Sequence, residues 1–226
     1  MESKRIWEID LLRAIAIILM IIFHFVYDLN EFLGIDINYR SGFWYWEGKI
    51  SALIFIFVSG ISSGFSKHSF KRGLKVLGYG MIVTAVTYVA LGDMYIRFGI
   101  LHLLGTCMII FPVLKAMNNW LLLGISAVIF YISPVVSSAK ASNALLLPLG
   151  LKYPGLRAAD YYPLIPYLAV FILGVISYKL YYHKKKSLFN FTLYNETISV
   201  ISQKSLLIYL IHQPLLLAGI YLYSLT

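Results

Sequence analysis

The sequence predicts an all-α fold: a polytopic integral membrane bundle of about seven transmembrane helices with its N-terminus in the cytoplasm. Three observations predict it. The 226 residues are 60% hydrophobic and only 13% charged, with a mean hydropathy of +0.78, whereas soluble domains average about 25% charged. The apolar residues gather into runs near the roughly 20 residues needed to cross a bilayer. The basic residues gather in alternate connecting loops, as the positive-inside rule requires.

Seven runs qualify, at roughly 8–28, 47–66, 73–91, 98–116, 119–137, 161–182 and 201–223,. The first resembles a signal peptide, because Lys4 and Arg5 precede an apolar segment. However, Glu8, Asp10 and Arg13 interrupt it and no small-residue cleavage site follows, so it reads as a retained span. The second opens behind Ser41-Gly-Phe-Trp-Tyr-Trp46, aromatic residues suited to a membrane interface,. Small residues at positions 59, 60, 62, 63 and 64 then permit close helix approach,. The fourth begins at Arg97-Phe-Gly-Ile-Leu-His102 and holds Cys107, the single cysteine, which reads as a buried, inert thiol unable to form an intrachain disulfide. The segment 138–160 is the longest connection and contains Pro148 and Pro154; it reads as a re-entrant or lid-like segment. Pro163 and Pro166 open the sixth run, where a first turn tolerates them,. Pro214 lies inside the seventh, where it frees a carbonyl near residue 210 and kinks the helix,. No repeat or second domain interrupts the chain, which reads as one domain over 1–226.

Orientation follows from charge. Lys4, Arg5, Arg13, Lys67, Lys71, Arg72, Lys75, Lys115, Lys179, Lys184, Lys185 and Lys186 fall on one side; Arg40, Lys49, Arg97, Lys140, Lys152 and Arg157 fall on the other. Twelve against six places the N-terminus in the cytoplasm and the C-terminus outside,. The net charge of +9 is thereby a topology signal, and nucleic acid is not an expected partner. Depth along the spans puts His24, His102 and His212 in the outer half of the bundle. His68 and His183 fall in the inner basic loops as solvated residues.

Arg13-Ala-Ile-Ala-Ile-Ile-Leu-Met-Ile-Ile-Phe-His24 organises the chain. Eleven helical residues rise about 16.5 Å and make roughly three turns, so Arg13 and His24 share a face. Asp10 and Asp28 extend the stripe at three and four residues' distance, the spacings of helix neighbours,. Ionisable groups inside a span mark functional sites. His24 is the candidate general base, with Asp28 one turn away to hold its tautomer, and Arg13 the candidate for an anionic group. The plainer alternative has Arg13 snorkelling and His24 bonding a neighbouring helix. Arg97 and His102 are substrate-binding candidates. Asp160, in Asp160-Tyr-Tyr-Pro-Leu-Ile-Pro166, is a candidate for orienting an amine or sugar hydroxyl,. His212 and Gln213 sit beside the Pro214 break, where polar groups can face a cavity. Lys71 and Arg72, with Lys67 and Lys75, either report the positive-inside signal alone or receive a polyphosphate such as the nucleotide end of coenzyme A.

Five stretches together carry a resemblance to a known family. They are Glu8-Ile-Asp-Leu-Leu-Arg-Ala-Ile-Ala-Ile through His24 and Asp28-Leu29; Phe55-Ile-Phe-Val-Ser-Gly-Ile; Arg97-Phe-Gly-Ile-Leu-His; Asp160 through Gly174; and Ser205-Leu-Leu-Ile-Tyr-Leu-Ile-His-Gln-Pro. In this order the chain resembles the transmembrane acyltransferase superfamily, most closely heparan-α-glucosaminide N-acetyltransferase catalytic-domain-like proteins. The resemblance implies acetyl transfer from cytoplasmic acetyl-CoA to an amine or hydroxyl of an extracytoplasmic sugar or glycan. It also implies that His24 is catalytic and that Arg13 helps hold the donor. The chain departs in having about seven spans, where larger relatives have ten or more. It also has Phe43, Trp44, Tyr45 and Trp46 before the second span, where the lysosomal relative has a histidine.

On this reading Arg13, Asp10, Lys71 and Arg72 bind the donor, His24 and Asp28 are catalytic, and Arg97, His102, Asp160, His212 and Gln213 serve the acceptor or the oxyanion. No metal is expected. The lipid bilayer of a prokaryotic cell membrane is the expected setting, and a homodimer is compatible with the sequence. A small transporter or permease using the same polar path is the alternative function.

Overall fold

The computed structural model describes residues 5–224. Among them the regular structure is helical: α1 (Trp7–Leu33), α2 (Gly42–Phe65), α3 (Ser69–Leu91), α4 (Ile100–Ala116), α5 (Asn119–Ser138), α6 (Leu164–Leu180), α7 (Glu196–Gln203) and α8 (Ser205–Ser224). Extended pairing there is limited to the isolated bridges Phe98–Tyr161 and Lys140–Lys152. The helices α1, α2, α3, α5 and α8 are long and apolar enough to cross a membrane, while α4 and α6 are apolar but shorter. The seven expected runs therefore exist as helices, and the chain is an all-α polytopic membrane bundle. Val89, Tyr131 and Trp120 are more than 80% exposed. Such apolar surface would drive aggregation in water and is at home against lipid.

Helix boundaries differ from the expected ones where polar residues suggest an end. α1 continues past Asp28 to Leu33, because Asp28 is fully buried. Gly34 then stops it, adopting φ 66° at the helix end, a left-handed conformation that glycine tolerates best. The seventh run is two helices. Lys204 interrupts it, and a short amphipathic α7 precedes α8. Asn195 caps α7 by accepting a hydrogen bond from the Ile198 amide at 3.2 Å,. α8 continues through Pro214. In α6 the residue before Pro166 is extended (Ile165, φ −99°, ψ 118°), as proline's ring demands of its predecessor.

The chain packs as two compact units, residues 1–55 with 185–226, and residues 56–184. In the first, α1 packs on α7 and α8. Ser51 of α2 donates to the Ala16 carbonyl at 2.8 Å, and Gly48 lies against the Phe23 ring. Trp7 stacks on Phe189 and Phe191, and the Leu188 amide donates to Glu8 Oε1 at 2.8 Å.

In the second unit, α3 packs on α4, and α6 on α4 and α5. Glycine sets the closest approaches. A Cβ on Gly73 would meet the Gly105 carbonyl at 2.8 Å, and one on Gly105 would meet the Leu77 amide at 2.6 Å. Gly60 of α2 and Gly174 of α6 face each other, each against the other helix's backbone. The small residues of 59–64 thus serve close packing, as small residues do where no hydrophobic drive joins helices. The segment after α5 forms a 3₁₀ turn at Ala144–Leu149. Tyr161 holds it, donating to the Leu147 carbonyl at 2.8 Å. Burial pushes the Tyr161 hydroxyl up to about 12, so it remains a donor at neutral pH.

Candidate active site

Two polar clusters lie along α1 in the first unit. At its N-terminal end Asp10, 4% exposed, receives Arg5 through two hydrogen bonds of 2.7 and 2.5 Å. It also receives the Ser202 hydroxyl of α7 at 2.6 Å. Ser202 in turn accepts from Arg13 Nη1 at 2.8 Å. One carboxylate thus balances two guanidinium groups, one directly and one through a hydroxyl. The Asp10 partnership also holds the Arg5 guanidinium above its ordinary pKa. Ser202, which no motif flags, is the joint of this network.

Eleven residues along α1 from Arg13, about 16.5 Å by helical rise, His24 opens the second cluster. Its Nδ1 lies 2.8 Å from the Met20 carbonyl. A carbonyl only accepts, so Nδ1 carries the hydrogen and Nε2 of the neutral ring presents a lone pair. His212 of α8 meets His24 edge-on, with ring centroids 4.8 Å apart. It repeats the arrangement: Nδ1 lies 2.6 Å from the Tyr209 carbonyl, and Nε2 is buried with no partner. Gln213 donates from Nε2 to Asp28 Oδ1 at 2.7 Å, leaving Gln213 Oε1 and Asp28 Oδ2 buried and unpartnered.

Asp28, expected to hold the His24 tautomer, makes a different contact in the structure. The Met20 carbonyl fixes the His24 tautomer, and Asp28 is held by Gln213. The same geometry bears on the oxyanion: Gln213 Nε2 keeps a second N–H beyond the one given to Asp28, whereas His212 in this tautomer presents an acceptor nitrogen,.

The second unit holds the other candidates. His102 is 3% exposed and has both nitrogens engaged. Nδ1 accepts from the Gly99 amide at 3.2 Å. Nε2 therefore carries the hydrogen and meets Thr84 Oγ1 at 3.2 Å, and the Thr84 hydroxyl donates to the Ile96 carbonyl at 2.6 Å. His102 closes the start of α4. Asp160 Oδ2 accepts from the Ile100 amide at 2.9 Å, capping the same helix from sixty residues away in sequence. Arg97 donates to the Asp93 carbonyl at 3.0 Å and to the Arg157 carbonyl, with its guanidinium 3.9 Å from the Tyr95 ring centre. These three residues, expected to serve the acceptor or the oxyanion, fasten loops to helix ends in the structure. Lys71 and Arg72 are exposed in the first turn of α3.

The cap assignment makes a prediction. Asp160→Ala should destabilise the protein by about 1 kcal/mol. Cys107, the only cysteine, is fully buried in α4, so its modification by a thiol-reactive dye during heating reports the opening of this helix. An unchanged midpoint would remove Asp160 from the capping role.

Among the described residues no group of three or more His, Cys, Asp or Glu side chains is arranged to hold a metal ion. The family model described as heparan-alpha-glucosaminide N-acetyltransferase, catalytic, matches residues 5–214. No curated protein and no solved structure matches the chain.

Proposed function

Because the chain belongs to the heparan-α-glucosaminide N-acetyltransferase catalytic family, a family of membrane acetyltransferases, we propose that it transfers acetyl from cytoplasmic acetyl-CoA to an amine or hydroxyl of an extracytoplasmic sugar. The observation that carries this reading is the His24 ring, whose Nδ1–H is tied to its own helix, so that the basic nitrogen faces outward from α1. Arg13 lies on the same helical face, about 16.5 Å back along the axis.

In the proposed reaction the phosphates of acetyl-CoA rest at the Arg13 end and the pantetheine arm carries the thioester along α1. The acceptor nitrogen or oxygen attacks the thioester carbonyl carbon while His24 Nε2 takes its proton. The tetrahedral intermediate then collapses, the C–S bond breaks, and the proton passes from His24 to the departing coenzyme A thiolate. Asp28, Gln213 and His212 line the acceptor side with acceptor atoms. Arg5 supports the donor end by sharing Asp10, which would otherwise be left to neutralise Arg13.

Arg13→Ala tests the donor assignment. It should raise the KM for acetyl-CoA about tenfold or more, the effect of losing one charge-assisted contact, and leave the ranking of acceptors unchanged. Steady-state assays with labelled acetyl-CoA and a panel of amino and neutral sugars read both. An unaltered donor KM with a reordered panel would place Arg13 with the acceptor.

A further inference from the structure

The chain leading into α7 carries an apolar surface that the proposed chemistry does not use. Residues 184–186 are all lysine, and no Asp or Glu occurs between Asp160 and Glu196. Leu188, Phe189, Phe191, Leu193 and Tyr194 follow, each 47–60% exposed. The segment 185–195 has no helix or strand of its own, yet it is fastened at both ends. The Leu188 amide donates to Glu8 Oε1 at 2.8 Å. The Phe189 and Phe191 rings pack on the buried Trp7 at 5.5 and 5.6 Å and on each other at 5.3 Å. Asn195, at the far end, caps α7. A short segment pinned in this way holds its apolar side chains at the surface.

Its level in the membrane follows from α1. That helix has 27 residues, about 40 Å by helical rise, against a hydrocarbon core of about 30 Å. The ends of α1 therefore project into the interfacial layers. Trp7 is its first residue, so the rings packed on Trp7 lie at interfacial depth, where tryptophan itself is favoured. α7 has the pattern of a helix lying against lipid. Ser199 and Ser202 are buried, Ser202 against Asp10 and Arg13 of α1, while Val200 is exposed. A helix on a water-soluble surface turns its apolar residues inward and its serines outward.

We propose that residues 185–200 form an interfacial foot at the Arg13 end of α1, which seats its apolar side chains among lipid headgroups and recognises anionic phospholipid through Lys185 and Lys186. Both lysines are exposed, and among the described residues neither enters an ion pair. A bilayer containing an acidic phospholipid supplies both halves of the match at one depth: hydrocarbon beside the rings and phosphate beside the ammonium groups. The positive-inside rule accounts for lysines in a loop. It does not account for five apolar side chains held out beside them. Because the claim concerns lipid, it stands apart from the acetyl-transfer reading.

The test uses the full chain with Leu193→Cys carrying an environment-sensitive fluorophore, reconstituted in vesicles of phosphatidylcholine and phosphatidylglycerol. Cys107 is fully buried, so a single label per chain also reports that the protein is folded. The fluorophore should be shielded from iodide and quenched by spin-labelled lipid. Spin-labelled phosphatidylglycerol should be favoured over spin-labelled phosphatidylcholine by about fivefold or more, the worth of one lysine beside an anionic headgroup. Lys185→Gln with Lys186→Gln should erase that preference and leave the shielding from iodide in place. Iodide quenching as strong as that of the free dye would put the segment in water and overturn the proposal. Equal quenching by the two lipids, or a preference that survives in the folded double variant, overturns recognition by these lysines. Saturating acetyl-CoA should leave the lipid preference unchanged; displacement of phosphatidylglycerol by acetyl-CoA would assign the lysines to the phosphates of coenzyme A instead.

Discussion

Replacing His24 by glutamine is expected to slow acetyl transfer by about 10²–10⁴-fold, the range that positioned proton transfer contributes, with acetyl-CoA binding changed by less than about twofold. Glutamine keeps a polar amide near the Met20 carbonyl that now receives His24 Nδ1, but it cannot accept a proton at neutral pH. Single-turnover transfer of labelled acetyl separates the chemical step from donor binding. An unchanged rate would show that another group takes the proton. His212 is the sensible comparison, because its ring has the same tautomer and touches His24. If His212→Gln abolishes transfer while His24→Gln does not, the two histidines exchange roles.

Gly60→Val is expected to cost about 3 kcal/mol or more in stability, at the upper end of overpacking penalties. A Cβ there falls on the Phe171 carbonyl oxygen and against Gly174, and a Cβ on Gly174 falls on the Phe57 carbonyl. Both obstacles are backbone, so no rotamer change relieves them, and α2 and α6 must separate. The second unit's fully buried residues include Ile56, Val58, Ile61, Phe171, Ile172 and Val175, all on these two helices. Heating the protein with a thiol-reactive dye reads the loss through Cys107, with a lowered midpoint or failure to recover folded protein as the expected result. Gly78→Ala is the control, since nothing lies within 4 Å of its added Cβ. Equal effects at Gly60 and Gly78 would contradict the packing account.

Hydrophobic run length locates all seven apolar helices, because the bilayer imposes one length on every crossing. The spacing from Arg13 to His24 locates both clusters of α1, because helical rise and turn are fixed. Partners are not legible. Nothing local to Asp28 says that Gln213, from the far end of the chain, meets it in place of His24. His102 resembles a site residue for the same reason: a buried histidine near a helix start reads alike whether it caps or catalyses. Its contacts with Thr84 and the Gly99 amide at the start of α4 come from the fold and cannot be read locally. Glu47 stands in sequence at the outer edge of the second run, directly after four aromatic residues. Their helix in fact starts at Gly42, which carries Glu47 inside. The Lys204 break is hidden by apolar residues on both sides, although Asn195 followed by Glu196 is a readable cap for α7,.

The most direct measurement reconstitutes the protein in sealed vesicles, with labelled acetyl-CoA on the side of the Arg13 cluster and glucosamine on the other. Labelled N-acetylglucosamine should accumulate with the sugar, coenzyme A should remain on the donor side, and His24→Gln should abolish the signal. Acetyl-CoA appearing intact beside the sugar would make the protein a transporter. Transfer only when donor and sugar share a compartment would break the proposed path along α1.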